Sequence, residues 1–395
     1  MHKRSLGLPL FGGLALIVAA CSTGASPTPS ASTEAPSQPA ASASGAAPSA
    51  STAATSNLKI GVVTDIGTLD DKNFNEYSYK GAADGATAIG AAKPPAVVPK
   101  TASEYAKDIQ DFVDQKYDVI VTVGFNLAGD TTKAAKANPN IWFIGVDQSP
   151  ICVDTKGNLD ATFACKGDAK TLLPKYISIA FKEDQAGYLA GIVAASVSKN
   201  GEIGAIGGTT LCAPCVRYIQ GYELGAKSIN ASITVDTAYV TRDFSAAAFQ
   251  DQPGGKRFAE TYLTAHPQVD VLFQVAGLTG NGILDAACAA GIDGIGVDVD
   301  QYLSYPAADK CLVTSAEKHL QVAVAAVITA VNAGTATGGD NAYDATNDGI
   351  GIAPFHDMAS AVPADVQGKV DAALAAMKAG GLQTCPTTGC GVGPK

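Results

Sequence analysis

From residue 57 onward, short β-branched runs alternate with alanine-rich segments of helical spacing, and that alternation restricts the chain to a parallel α/β architecture. The runs at 58–64, 118–123, 140–146, 202–207, 233–240, 269–275, 294–299 and 311–314 predict strands. Helices are predicted near 74–91, 103–116, 128–137, 184–199, 216–229, 255–265, 280–290, 317–333 and 364–379. The first run is apolar almost without interruption, as in a strand buried on both faces. Roughly nine such units exceed one compact sheet, so two doubly wound lobes are expected, with a cleft where strand ends face each other. The boundaries read as an N-terminal lobe over 57–180, a C-terminal lobe over 181–315, and a crossover helix with elements shared between the lobes over 316–395.

The first 56 residues look different. His2, Lys3 and Arg4 precede an apolar stretch from Leu8 to Ala20, too short for a membrane span, so 1–20 reads as a signal peptide. The stretch ends in Ala19-Ala20-Cys21, which resembles a bacterial lipobox, and Cys21 is the expected lipid-bearing residue. Residues 22–56 are nearly all Ser, Ala, Thr, Pro and Gly. Such a segment cannot offset its ordering entropy by burial, so 21–56 is expected to be a flexible tether.

The remaining cysteines fall into close pairs along the chain: Cys152 with Cys165, Cys212 with Cys215, Cys288 with Cys311, and Cys385 with Cys390. An even number in an exported chain suggests disulfides, and although sequence leaves the connectivity open, the local pairs close the shortest loops. Cys212-Ala-Pro-Cys215 also has the spacing of redox and zinc motifs. A second C-x-x-C is absent and the chain has only four histidines, so no metal is expected. A thioredoxin site would place the motif after the first strand of its fold, whereas here it follows a strand in mid-chain.

A net charge of −10 argues against nucleic acid and against direct adhesion to an anionic bilayer. Several strand runs end in a small residue and then a polar one, giving Asp65, Asn126, Asp147, Thr209, Gly277 with Asn281, and Asp298. Individually these are helix caps; together they point to one cleft. No histidine sits at a strand end, no G-x-S-x-G occurs, and the glycine-rich pieces match neither phosphate-loop pattern. Binding without chemistry, and without a cofactor, is the simpler account. The segment 65–75, "DIGTLDDKNFN", gathers three carboxylates, two asparagines and an aromatic in the first strand-to-helix loop.

That segment, within "GVVTDIGTLDDKNFNEYSYKGA", resembles the opening signature of the basic membrane protein family of ABC-transporter substrate-binding lipoproteins. "AFKEDQAGYLAGIVAA", "FQVAGLTGNGILDAA", "IGVDVDQ" and "TSAEKHLQVAV" extend the similarity in family order. The resemblance implies a type I periplasmic-binding-protein fold, two Rossmann-like lobes joined by three crossovers, and a purine nucleoside as ligand. It also implies the site. Phe74 and Phe244 would stack on the base, Asp65 and Asn73 would face its edge, and Asp147, Asp298 and Lys318 would grip the ribose. Gly277 would let backbone approach the sugar.

Three classes of function are then expected to compete. The first is a monomeric, lipid-anchored receptor on the extracytoplasmic face that delivers a nucleoside to an ABC permease, with riboflavin or a sugar as the alternative ligand. The second is a sensory lipoprotein without a permease. The third is an enzyme such as a nucleoside hydrolase, for which the opening D-x-D-x-x-x-D-D is missing. The stretch 148–174, at a strand end, is long enough to reach over the cleft.

Overall fold

The computed structural model describes residues 55–148, 152–162 and 164–394; Cys21, the signal segment and nearly all of the tether read from sequence lie outside them. Its strands are β1 (Ile60–Val63), β2 (Ala96–Val97), β3 (Val119–Val123), β4 (Trp142–Val146), β5 (Tyr176–Phe181), β6 (Glu202–Thr209), β7 (Thr234–Thr241), β8 (Val271–Val275), β9 (Asp293–Asp298), β10 (Leu312–Lys318), β11 (Gly339–Tyr343) and β12 (Ile350–Ile352). They form two six-stranded sheets, ordered β11-β5-β4-β3-β1-β2 and β12-β10-β9-β8-β6-β7. Every pairing in the first sheet is parallel. In the second only β12 runs antiparallel, against β10. This is the periplasmic-binding-protein-like α/β fold.

The chain passes between the sheets three times. After β5, helix Glu183–Val197 leaves the first sheet and packs on helix Ala213–Ile229 beside the second. After β10, helix Leu320–Asn332 returns to lie on Phe74–Ala88, where Gly81 and Gly85 let it approach. The short span between β11 and β12 makes the third passage. One apolar cluster continues through both lobes, from Ile60 and Val121 to Phe273 and Val297.

Each of the nine expected helices has a counterpart, and each of the eight expected strands as well, while β2, β5, β11 and β12 were not read from sequence. One boundary matters for function. The helix expected from 317 begins only at Leu320, because β10 continues through Lys318, pairing it with Ile350. Lys318 is therefore a strand-end residue. At the other end of the fold, the Ser56 N–H donates to the Ile89 carbonyl (3.0 Å), so ordered chain already includes a residue read as tether.

All four local cysteine pairs are disulfides: Cys152–Cys165, Cys212–Cys215, Cys288–Cys311 and Cys385–Cys390. The described part of 148–174 folds along its own lobe. Leu159 approaches Gly129, and Lys136 bonds Asn158. Among the described residues of 152–174, none lines the cleft cavity.

Candidate functional site

The cavity lies at the carboxyl ends of the strands of both sheets and is open to solvent at its mouth. Its first wall is the loop that follows β1. Lys72 takes a positive φ of 62°, which turns the chain so that the Asp71 carboxylate accepts from the N–H groups of Asn73 (2.9 Å), Asn75 (2.9 Å) and Glu76 (3.1 Å). Asp71 thereby caps the helix that starts at Phe74 and aims Phe74 and Asn75 into the cavity. Burial pushes the Asp71 carboxyl up to about 6 against those three donors. Asp65, at the end of β1, accepts from the Tyr105 hydroxyl, from the Ile66 N–H (2.7 Å) and from Asn126 Nδ2 (3.4 Å).

The floor is a buried charge cluster. Lys318 Nζ lies 2.6 Å from Asp147 Oδ2, 3.5 Å from Asp298 Oδ1 and 3.5 Å from Glu183 Oε1. Glu183 is held from its other oxygen by Arg217 Nε at 2.6 Å. Three carboxylates thus face two cations, away from bulk water. Tyr218 adds its hydroxyl, 3.2 Å from Asp298 Oδ1 and 3.3 Å from the Ala316 carbonyl. Burial pushes Asp147 up to about 7 although the Lys318 ammonium opposes it, and burial likewise raises Asp298. Glu183 goes the other way: burial works against its charge, but Arg217 and Lys318 together hold it below the ordinary carboxylate range. Lys318 stays cationic, since three carboxylates outweigh its own desolvation.

The two lobes present the floor in the same way. Asp147 follows β4 with φ 58° and Asp298 ends β9 with φ 67°, a left-handed backbone uncommon for non-glycine residues and concentrated at functional sites. Behind Asp147, Gln148 donates to Thr122 and Gly124, while the Tyr176 hydroxyl donates to it (2.6 Å). Behind Asp298, Gln301 accepts from the Val297 N–H (3.0 Å) and Gln274 (2.6 Å) and donates to Asn281 (2.9 Å). Each aspartate is aimed by a glutamine that occupies the neighbouring backbone groups.

The rest of the lining is aromatic or close-packed: Phe125, Phe249, Tyr218 and Phe74, with Gly277 and Ala276 at the start of the helix after β8. Lys318 Nζ lies 5.2 Å from the Phe74 ring centroid and 5.4 Å from that of Tyr218. Gly277 has φ 53° at this turn, which favours glycine. The lobes touch at the rim, where Asn281 Nδ2 donates to the Asp71 carbonyl (3.2 Å) and Ser304 Oγ to that of Lys72 (2.7 Å). The Asp147 Oδ1 and Asn75 Oδ1 atoms are buried and have no hydrogen-bond partner among the described residues.

Of the site residues read from sequence, Asp65, Phe74, Asp147, Gly277, Asp298 and Lys318 come together on this cavity. Two stand elsewhere. Asn73 is fully buried behind the cap and absent from the lining, because the turn at Lys72 directs Asn75 inward in its place. Phe244 is 41% exposed, its ring 5.6 Å from Phe125 at the periphery. The aromatic from that region which lines the cavity is Phe249, carried inward by the helical turn Ala246–Phe249. Glu183, Arg217 and Tyr218 were not singled out from sequence. The only trace was the acidic pair Glu183-Asp184 opening a helix that is apolar further on, which ordinarily reads as a favourable helix start.

Among the described residues, no helix is long and apolar enough to cross a membrane. Residues 58–374 match the family of PnrA-like ABC transporter substrate-binding proteins, a solute-binding family rather than a class of enzyme. The chain is 30% identical over 257 residues to the ABC transporter nucleoside-binding protein BmpA of Lactococcus lactis subsp. cremoris, covering 62% of this chain and 65% of that one, just under two thirds of the relative's length. It is 26% identical over 346 residues to the CD4+ T-cell-stimulating antigen of Listeria innocua, covering 80% and 85%. Among solved structures, an ABC transporter solute-binding protein from Aeropyrum pernix K1 superposes with a TM-score of 0.68 at 22% identity, over 82% of this chain and 92% of that one. With two largely parallel sheets, a cavity between their strand ends and a family match spanning most of its length, this chain belongs to the PnrA-like family of ABC transporter substrate-binding proteins.

Proposed function

We propose that the cavity captures a nucleoside, most readily a purine nucleoside, for delivery to an ABC permease. The observation that carries this reading is the division of one cavity into an aromatic part and a buried carboxylate part, with the Asp147 Oδ1 acceptor unpartnered among the described residues. In this reading Phe74 and Phe249 flank the planar base, since offset stacking suits a ring between aromatic faces. Asp65 and Asn75 meet its edge, the carboxylate as acceptor and the amide as donor and acceptor. Asp147 and Asp298 accept from the ribose hydroxyls, Lys318 keeps the pair of carboxylates tolerable side by side, and Gly277 admits the sugar close to backbone. The name of the Lactococcus relative agrees with the ligand class.

Calorimetric titration of the purified protein with inosine, guanosine, adenosine, riboflavin and galactose tests the reading. Phe74→Ala is expected to weaken nucleoside binding by about 1–3 kcal/mol, the range for base–aromatic stacking, with the melting temperature of the empty protein nearly unchanged. Binding to riboflavin or galactose alone would replace the nucleoside by that ligand. Binding to none of the five, or a Phe74→Ala protein that fails to fold, would refute the assignment of this wall.

The same reading makes Cys21 the lipid-bearing residue and 21–56 the tether that holds a monomeric receptor at the membrane. Its support is the apolar run ending at Ala20-Cys21. Cys21→Ala is expected to lose incorporation of radiolabelled fatty acid and to leave the membrane fraction; equal labelling of both proteins would exclude the anchor.

A further inference from the structure

Cys212 and Cys215 line the same cavity, with Pro214 between them, whereas no cysteine of the other three disulfides is in the lining. The bridge closes the first turn of helix Ala213–Ile229. Cys212 caps that helix, its N–H bonded to the Thr209 carbonyl (3.2 Å) and its sulfur accepting from the Cys215 N–H (3.1 Å). The residues that follow are the two that tie down the charge cluster, Arg217 on Glu183 and Tyr218 on Asp298. One residue past the next turn, Gln220 donates to the Gly389 carbonyl (3.0 Å) and accepts from the Gly391 N–H (2.8 Å), holding the C-terminal loop closed by Cys385–Cys390. The first two turns of this helix therefore carry a cavity-lining disulfide and both outer supports of the binding floor.

We propose that Cys212–Cys215 is a redox-controlled positioning element for the ligand cavity. Oxidised, it fixes the turn that places Arg217 and Tyr218. Reduced, it releases that turn and ligand affinity falls. The reductant is a small dithiol able to enter the cavity. Its thiolate attacks Cys215 Sγ, the sulfur–sulfur bond breaks, and Cys212 leaves as a thiolate stabilised by the Cys215 N–H and the helix N-terminus. The second thiol of the reductant then resolves the mixed disulfide. Two electrons and two protons end on the two protein thiols, and the reductant departs as its cyclic disulfide. Linkage makes the effect reciprocal: if reduction weakens a ligand tenfold, the bound ligand makes the pair tenfold harder to reduce, equivalent to about 30 mV.

The proposal relies on the nucleoside reading only for its choice of probe, and the test separates the two. Full-length wild type, Cys212→Ser/Cys215→Ser and, as control, Cys288→Ser/Cys311→Ser are titrated with inosine before and after dithiothreitol, and hydrogen exchange is followed by mass spectrometry in the same samples. Loss of the Cys212–Cys215 bridge, by reduction or by substitution, is expected to weaken inosine about tenfold and to speed exchange within 213–221; in the Cys212→Ser/Cys215→Ser protein before dithiothreitol, that segment alone should change. Before dithiothreitol the control pair should change neither. If oxidised wild type ignores inosine, the nucleoside reading fails while exchange within 213–221 still decides the proposal. In the Cys212→Ser/Cys215→Ser protein before dithiothreitol, unchanged exchange there, exchange that quickens across the whole chain, or inosine bound as tightly as by wild type would overturn it.

Discussion

Lys318→Met is expected to destabilise the empty protein by about 3–5 kcal/mol and to abolish ligand binding. The side chain is buried and shared by Asp147, Asp298 and Glu183, and methionine keeps its volume, so what is lost is the charge. Removing one partner of a buried ion cluster leaves the others uncompensated, and that is the costly case. Arg217 remains on Glu183, which leaves Asp147 and Asp298 as the exposed consequence.

Proton linkage gives this prediction a second readout. The Asp147 carboxyl already titrates near 7 in the folded protein, above its value in an unfolded chain, because burial disfavours its charge. For an acid with a raised folded value, the penalty is complete above that value and vanishes below the unfolded one. Without Lys318 the folded value rises further. The gap in melting temperature between wild type and Lys318→Met should therefore be largest near pH 8 and shrink toward pH 5. A variant as stable as wild type at pH 8, or a gap that widens in acid, would show that the cluster is not held by this cation.

Gly225→Ala is expected to destabilise by about 1–3 kcal/mol or more, the cost of overpacking a filled interface. A Cβ there would stand 1.9 Å from the Tyr188 carbonyl oxygen. A Cβ added at Gly187, Gly191 or Gly221 would stand as close to the facing helix, at 2.1, 2.1 and 2.0 Å from the carbonyl oxygens of Tyr218, Tyr222 and Asp184. Helices Glu183–Val197 and Ala213–Ile229 thus touch backbone to backbone, and an added methyl must push them apart. Helix propensity alone predicts the opposite sign, since alanine is favoured over glycine by about 1 kcal/mol in a helix interior. Gly368→Ala supplies the contrast: in helix Val366–Lys378 nothing lies within 4 Å of the added carbon, so that change should stabilise. Thermal melts of both variants decide between steric contact and propensity. Because Glu183 and Arg217 sit on the two separated helices, Gly225→Ala should also weaken ligand binding, whereas Gly368→Ala should not.

The parts of this molecule legible in its sequence were those carried by period and by strand-end chemistry. A buried parallel strand such as Val119–Val123 is a nearly continuous apolar run, and Asp65, Asp147 and Asp298 stand at the ends of such runs, so both the element and its cavity-lining end were visible. β5 was missed although Tyr176–Phe181 is equally apolar, because a long irregular stretch precedes it and hid the alternation. β11 and β12 carry polar residues and glycine, and only their position at sheet edges makes them strands. Lys318 lines the cavity but was assigned to a helix, since the apolar spacing of 320–332 runs smoothly into the preceding strand. The family resemblance offers Phe244; Phe249 stands in the same short segment, and the helical turn Ala246–Phe249, which spacing does not reveal, brings that ring to the cavity. Glu183 and Arg217 find each other across residues distant in the chain, a relation that no local pattern encodes.

The edge strands carry a consequence for synthesis. The outer edge of the first sheet is β11 and that of the second is β12, both supplied by residues 339–352. A chain that emerges N-terminus first has every other strand of its first lobe by Phe181, yet must wait through the whole of the second lobe for the last one. Neither lobe is a unit that a ribosome or a translocation channel can finish alone. Both are sealed within the same short passage of chain, almost at its end.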